Sequence, residues 1–211
     1  MLTPEFLHEA PEGLLELYRE TEEAILADMA RRISTYDFYI PAAQWQKRKL
    51  EAMGMMESEI NRRLSQLTGR SLEEIKELMK EAGMETIAND DRIHTMAGKK
   101  CPPLEASPSL IAVMNSGYRR TAKAFHNLTR STATNASKQF SKILDQAYMQ
   151  VTSGAFDTET AIRNAIKALA EKGIESVRYP SGRVDNIEVA ARRAIVTGIN
   201  QTAGDMQLAR A

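Results

Sequence analysis

A single cysteine, Cys101, stands in a chain of 211 residues, which excludes an intramolecular disulfide framework and suits a reducing compartment. No apolar run reaches the roughly 18 residues a membrane-spanning helix needs. The start, Met1-Leu2-Thr3-Pro4-Glu5, lacks the basic segment and apolar stretch of a secretory signal. Histidines are few and scattered: His8, His94 and His126 form no His-x-x-x-His pair, and no Cys-x-x-Cys occurs, so no metal centre is expected. Neither glycine-rich phosphate-binding pattern is present. Cys101, beside Pro102 and Pro103, could act as a nucleophile only with a histidine folded against it, and reads as a loop thiol. These absences leave no catalytic residue, no cofactor and no enzymatic activity to expect. Aromatic residues are also sparse, at 6%, while alanine, leucine, methionine, glutamate, lysine and arginine are plentiful, a composition that favours helix.

Acidic side chains are missing from one long stretch. Between Glu105 and Asp145 there is none, although Arg119, Arg120, Lys123, Arg130, Lys138 and Lys142 fall there. The formal net charge is zero, yet residues 1–100 hold 14 basic and 19 acidic side chains against 14 and 9 in residues 101–211. Such asymmetry concerns partners, not fold. Arg119, Arg120 and Lys123 lie within about one helical turn and Arg130 two turns on, with Thr121, Asn127, Thr129, Ser131 and Thr132 as neutral donors, a set suited to phosphate contacts that position without reading bases. The plainer alternative is a solvated helix face balanced by the acidic half of the chain. The Asp90-Asp91 pair could bind a divalent ion but reads first as solvent-facing.

What is present is mostly helical periodicity. Pro11-Glu12 opens a helix to about Ser34, with Leu14, Leu17, Tyr18, Ile25, Met29 and Ile33 at helical spacing. Pro41 opens a second, stopped by Gly54. Glu57 to Leu67 makes a third, stopped by Gly69, and Ser71-x-x-Glu74 is a capping box for a fourth that ends near Gly83. A fifth spans Glu85 to Met96. Gly98, Pro102, Pro103 and Pro108 then break the pattern. The expected organisation is a helical region 1–98, a proline-rich linker 99–109, and a second helical region 110–211. Ser109 to about Ser153 reads as one long helix, with the hydroxyl-rich Thr129–Thr134 as a candidate kink. Asp157 caps a helix from Thr158 to Glu171, stopped by Gly173.

The final segment combines a turn, a cap and a helix. Tyr179-Pro180-Ser181-Gly182 reads as a tight reversal between short strands, giving a hairpin over 175–185 that is marginal unless it packs on something. Asp185, three residues before Glu188, is the expected N-cap of the last helix. That helix carries a small and apolar stripe of Ile187, Ala191, Ala194, Ile195, Gly198, Thr202 and Met206. Beside it runs a polar stripe of Arg193, Thr197, Asn200 and Gln201, either an ordinary solvated edge or a partner contact. The fold class expected is mainly α: a bundle-like assembly of helices with one long helix and a small β-hairpin before the C-terminal helix.

The motif Tyr179-Pro180-Ser181-Gly182-Arg183-x-Asp185, followed by Val189-Ala190-x-Arg192-Arg193-Ala194-x-x-Thr197-Gly198-x-Asn200-Gln201-Thr202-Ala203, resembles the phage minor capsid protein 2 family of tailed bacteriophages. The resemblance continues upstream in order, through Thr3-Pro4-Glu5-Phe6-Leu7, Pro11 to Tyr18, Asp90-Asp91-Arg92-Ile93, Gly117-Tyr118-Arg119, Asn127 to Arg130, and Ala147 to Asp157. It implies a non-enzymatic minor capsid protein in the phage head, assembled in the bacterial cytoplasm, near the portal vertex and oligomeric in the virion. Portal and other head proteins are the partners it implies, and no membrane. Members usually continue past the Asn-Gln-Thr-Ala helix into a further region, sometimes with its own activity. Two competing classes follow: a module that contacts packaged DNA through the basic 117–142 region, and an N-terminal fragment of a longer protein whose activity lies beyond residue 211.

Overall fold

A computed structural model describes residues 2–98, 101–178 and 180–210, with Asn89 and Arg178 described by backbone alone. In chain order the elements are α1 (Pro4–Glu9), α2 (Glu12–Ser34), α3 (Ala42–Met96), a 3-10 turn (Leu104–Ala106), α4 (Pro108–Thr152), α5 (Thr158–Lys172), β1 (Glu175–Arg178), β2 (Val184–Asn186) and α6 (Ile187–Arg210). The fold is mainly α with a small antiparallel pair before the last helix, as the periodicities predict. Helix α1 escapes a pattern search because it is only six residues long. Its signal is local: Thr3 caps it, accepting from the Phe6 N–H at 3.2 Å, and Pro4 takes the first position.

The expected chain of short helices between Pro41 and Met96 is corrected by the structure. Those residues form one slightly bent helix of 55 residues, α3. Pro41 does open it, accepting from the Trp45 N–H at 2.9 Å, but Gly54, Gly69 and Gly83 do not end it, and Ser71 lies buried in mid-helix, not at a cap. A glycine inside a helix costs only about 1 kcal/mol relative to alanine. Burial of Trp45, Met56, Ile60, Leu64, Ile75 and Met79 along α3 outweighs that.

The chain forms two compact units, each assembled from segments distant in sequence. The first comprises Met1–Leu17, Thr68–Asn127 and Ala191–Ala211. One of its apolar clusters joins Ile87, Leu104, Leu110 and Met206, with Val113 and Met114 against it, so the proline-rich stretch is pinned by Leu104. Helices α4 and α6 fit together through two reciprocal notches. A Cβ built on Gly117 would lie 2.7 Å from Thr202 Cγ2 and 2.9 Å from its Cβ, and one built on Gly198 would lie 3.0 Å from Thr121 Cγ2. Each helix thus offers a glycine to the other's threonine, four residues from its own. Ion pairs add ties at the surface, between Arg192 and Glu12 and between Arg120 and Asp205.

The second unit comprises Tyr18–Leu67 and Leu128–Ala190. Its aromatic residues cluster: Trp45 stacks on Tyr148 with centroids 4.1 Å apart and planes 10° from parallel, and meets Tyr36 edge-on at 5.2 Å. Here the structure also accounts for the hydroxyl-rich middle of α4. The helix is unbroken through Thr129–Thr134, and the hydroxyls are accommodated within it: Ser131 and Thr132 donate back to the Leu128 carbonyl and Thr134 to that of Arg130. The polar residues have a second use. The Thr132 hydroxyl pairs with that of Ser176, Asn135 Nδ2 donates to the Ser176 carbonyl at 3.1 Å, and Gln139 Nε2 donates to that of Gly173 at 2.8 Å. Glu22 on α2 accepts from the Ile174 N–H at 2.6 Å. The strand entry is therefore held by side chains of α4 and α2, which is how a two-stranded hairpin persists.

Within the hairpin the register shifts between Glu175 and Val177, which makes Ser176 the extra residue on β1 and turns its hydroxyl inward. Pro180 to Gly182 form an exposed turn, and Gly182 has φ +84° with open space around it, as the motif predicts. Tyr179, the first residue of the expected reversal, lies outside the described residues. The expected cap is displaced by one: Asp185 is buried within β2 and bonds Arg183 Nε at 3.0 Å, while Asn186 Oδ1 accepts from the Val189 N–H at 3.0 Å and caps α6. Strand pairing claims Asp185 before the helix can use it. Asn186→Ala is expected to cost about 1 kcal/mol, and Gly182→Val a similar ~1 kcal/mol from backbone strain alone. Thermal melts of the two variants check both values.

Burial lifts the Glu22 carboxyl above its ordinary range, against the lowering by the Ile174 N–H, and the neighbouring Glu188 and Glu23 add to the rise. A carboxyl raised on folding costs stability while charged. The cost is present above the folded pKa and vanishes as pH falls through it, where the native state takes up its proton before the unfolded chain does. Glu22→Gln is therefore expected to melt higher than the parent at pH 7, with the gap closing as the pH is lowered toward 4.5, the ordinary glutamate value. Melting curves across that range test it.

Candidate functional site

Three groups of residues stand out in the sequence, and the structure places each. The small and apolar stripe of α6 is consumed in packing: Ile187, Ala191, Ile195, Thr202 and Met206 are buried, and Ala194 and Gly198 are half-buried. The polar stripe is left outward. Arg193, Thr197, Asn200 and Gln201 are all exposed, at positions i, i+4, i+7 and i+8 of one helix face within the first unit. Sequence spacing alone separates these two faces correctly.

The basic residues of α4 are exposed as well. Arg119, Arg120 and Lys123 belong to the first unit and Arg130 to the second. Arg120 is spoken for, with Asp205 at 2.5 Å. Among the described residues Arg119, Lys123 and Arg130 form no ion pair. The charge of Arg120 is therefore balanced by Asp205 of α6, not by the acidic half of the chain, while Arg119, Lys123 and Arg130 are exposed.

The acidic pair near the end of α3 does not face solvent alone. Asp91 Oδ1 accepts from Arg210 Nε at 3.1 Å, and Asp90 Oδ1 accepts from Gln207 Nε2 at 3.3 Å. These carboxylates anchor the last turn of α6, a role with no local signal in the sequence because the partners lie more than a hundred residues apart. Among the described residues no three of His, Cys, Asp or Glu are gathered in a way that would hold a metal ion. Cys101 is half-buried in the loop before the 3-10 turn. Methionines divide between uses: Met29, Met56, Met79 and Met206 fill cores, whereas Met55, Met96 and Met149 are exposed.

The second unit holds a feature with no local signal in the sequence. Two adjoining cavities, each of about 320 Å³, run between α4 and α5 and share Ile143, Gln146 and Ala168. Periodicity assigns each helix a buried face but does not say where two faces fail to close.

No helix of the described residues is long and apolar enough to cross a membrane. Neither curated proteins nor solved structures yielded a match to the chain. The family described as phage minor capsid protein 2 does match, over residues 2–211, the span through which the ordered motifs run. On a match of that extent, this chain belongs to the phage minor capsid protein 2 family and is a structural protein of the bacteriophage virion.

Proposed function

We propose that the chain is a non-enzymatic component of the phage head that docks at the portal vertex through the exposed polar face of α6. The observation that supports this is the division of α6: from Ala191 on, its apolar face is buried in the first unit, while Arg193, Thr197, Asn200 and Gln201 are exposed on one face. Arginine beside amide and hydroxyl donors suits a polar protein interface, where such groups set register. Co-expression with the portal protein and pull-down should recover a complex, and purified virions should contain the chain. Arg193→Ala and Asn200→Ala should each change stability by no more than about 0.5 kcal/mol, as exposed sites do, while lowering particle yield. Absence of the protein from virions would sink the proposal. Early melting of the two variants would make the face structural instead.

A second reading is supported by Arg119 and Lys123, exposed one turn apart without ion pairs among the described residues. On it the basic face of α4 touches packaged DNA through phosphates. Replacing Arg119, Arg120 and Lys123 with glutamine should weaken DNA retention and flatten its log–log salt slope by roughly 0.9 for each phosphate no longer neutralised. Binding that is unchanged at every salt concentration returns the face to solvent.

A further inference from the structure

The groove between α4 and α5 has a graded chemistry. Ile143, Ala165 and Ala168 make an apolar floor. One end opens beside Met149, which is 67% exposed. The other opens among Lys138, Lys142 and Lys172, none of which forms an ion pair among the described residues. Among those residues the only carboxylate lining the cavities is Glu175, which already has a partner. Lys138 and Lys142 are one helical turn apart, and Lys172 is the last residue of α5. From Lys138 to Met149, α4 rises ~16 Å, about three helical turns.

We propose that this groove receives an acidic amphipathic helix from another protein of the head. Its aliphatic side chains would lie on the apolar floor and carboxylates spaced one turn apart would meet the three lysines. The combination decides the occupant. A DNA backbone would use the lysines but gain nothing from an apolar floor beneath them. A helix with one apolar and one acidic stripe uses both, and the length of the groove accommodates three of its turns. The proposal rests on the virion assignment only for the choice of candidate partners.

The test uses the intact chain and fluorescent peptides of about 20 residues, longer than the groove, tiled across the portal and major capsid proteins of the same phage. Peptides that bind should carry carboxylates four residues apart beside aliphatic residues. Lys138→Gln combined with Lys142→Gln should weaken them about tenfold or more. Ala168→Trp, which fills the floor without altering charge, should weaken them independently, and unchanged melting of both variants keeps folding out of the result. Failure of every peptide, or binding indifferent to both variants, overturns the proposal. So does retention of a short DNA duplex that depends on the lysines and not on Ala168, or self-association that both variants abolish. Virions that contain the chain while every peptide fails would discard the groove and leave the virion assignment standing.

Discussion

Gly117→Ala is expected to destabilise the first unit although alanine is the better helix former. Propensity alone favours the substitution by about 1 kcal/mol. Against it, the new Cβ would stand 2.7 Å from Thr202 Cγ2 and 2.9 Å from Thr202 Cβ, closer than real contacts allow. Thr202 is buried, and its hydroxyl is occupied by donation to the Gly198 carbonyl at 2.8 Å, so it cannot simply turn away. Overpacking of this kind costs about 1–3 kcal/mol, which outweighs the propensity gain, and Gly117→Leu should exceed it. Thr202→Ala removes the two nearest atoms but leaves its Cβ at 2.9 Å, so it should rescue Gly117→Ala in part. A double-mutant cycle by chemical denaturation reads the coupling. A Gly117→Ala variant that melts above the parent would show that α4 and α6 are not in close contact there.

Trp45→Ala should be the most damaging single change in the second unit. Trp45 is the chain's one tryptophan and is 2% exposed, stacked on Tyr148 and flanked by Tyr36 and Phe38. Removing a buried tryptophan costs about 3–5 kcal/mol through lost burial and the cavity left behind. The neighbouring Tyr36 supplies a control of opposite sign. Burial pushes its hydroxyl up to about 12, and that oxygen is buried without a hydrogen-bond partner. Tyr36→Phe removes an unsatisfied group and should leave stability unchanged or slightly higher. Denaturation monitored by far-ultraviolet circular dichroism, which does not depend on the tryptophan, measures both. A Trp45→Ala variant as stable as the parent would mean that the cluster is not a core.

Much of the helical framework is legible from local chemistry. Pro11-Glu12 and Ser34 bracket α2, Asp157 and Gly173 bracket α5, and the proline-free run from Ser109 matches α4. Caps, prolines and left-handed glycines act within a few residues, so a sequence displays them directly. The same holds for the two faces of α6 and for the exposed turn with Gly182 at positive φ. Signals of this range fail where a distant segment competes for the same residue. Asp185 has the right spacing to cap α6, but it is drawn into β2 and leaves the cap to Asn186. Thr132 looks like a helix-weakening residue until Ser176 is placed against it.

By itself, then, the sequence determined that the chain is helical, where most helices begin, which face of α6 is apolar, and, through motifs ordered along its length, which family it belongs to. Tertiary structure alone decided what each glycine is for. Gly54 and Gly69 lie in α3 with open space around them, and Gly83 meets Met206 without ending the helix. Gly117 and Gly198 instead create the notches that admit Thr202 and Thr121. The physical reason is one of scale. A glycine costs a helix about 1 kcal/mol wherever it sits, and whether that ends the helix depends on burial by residues a hundred positions away.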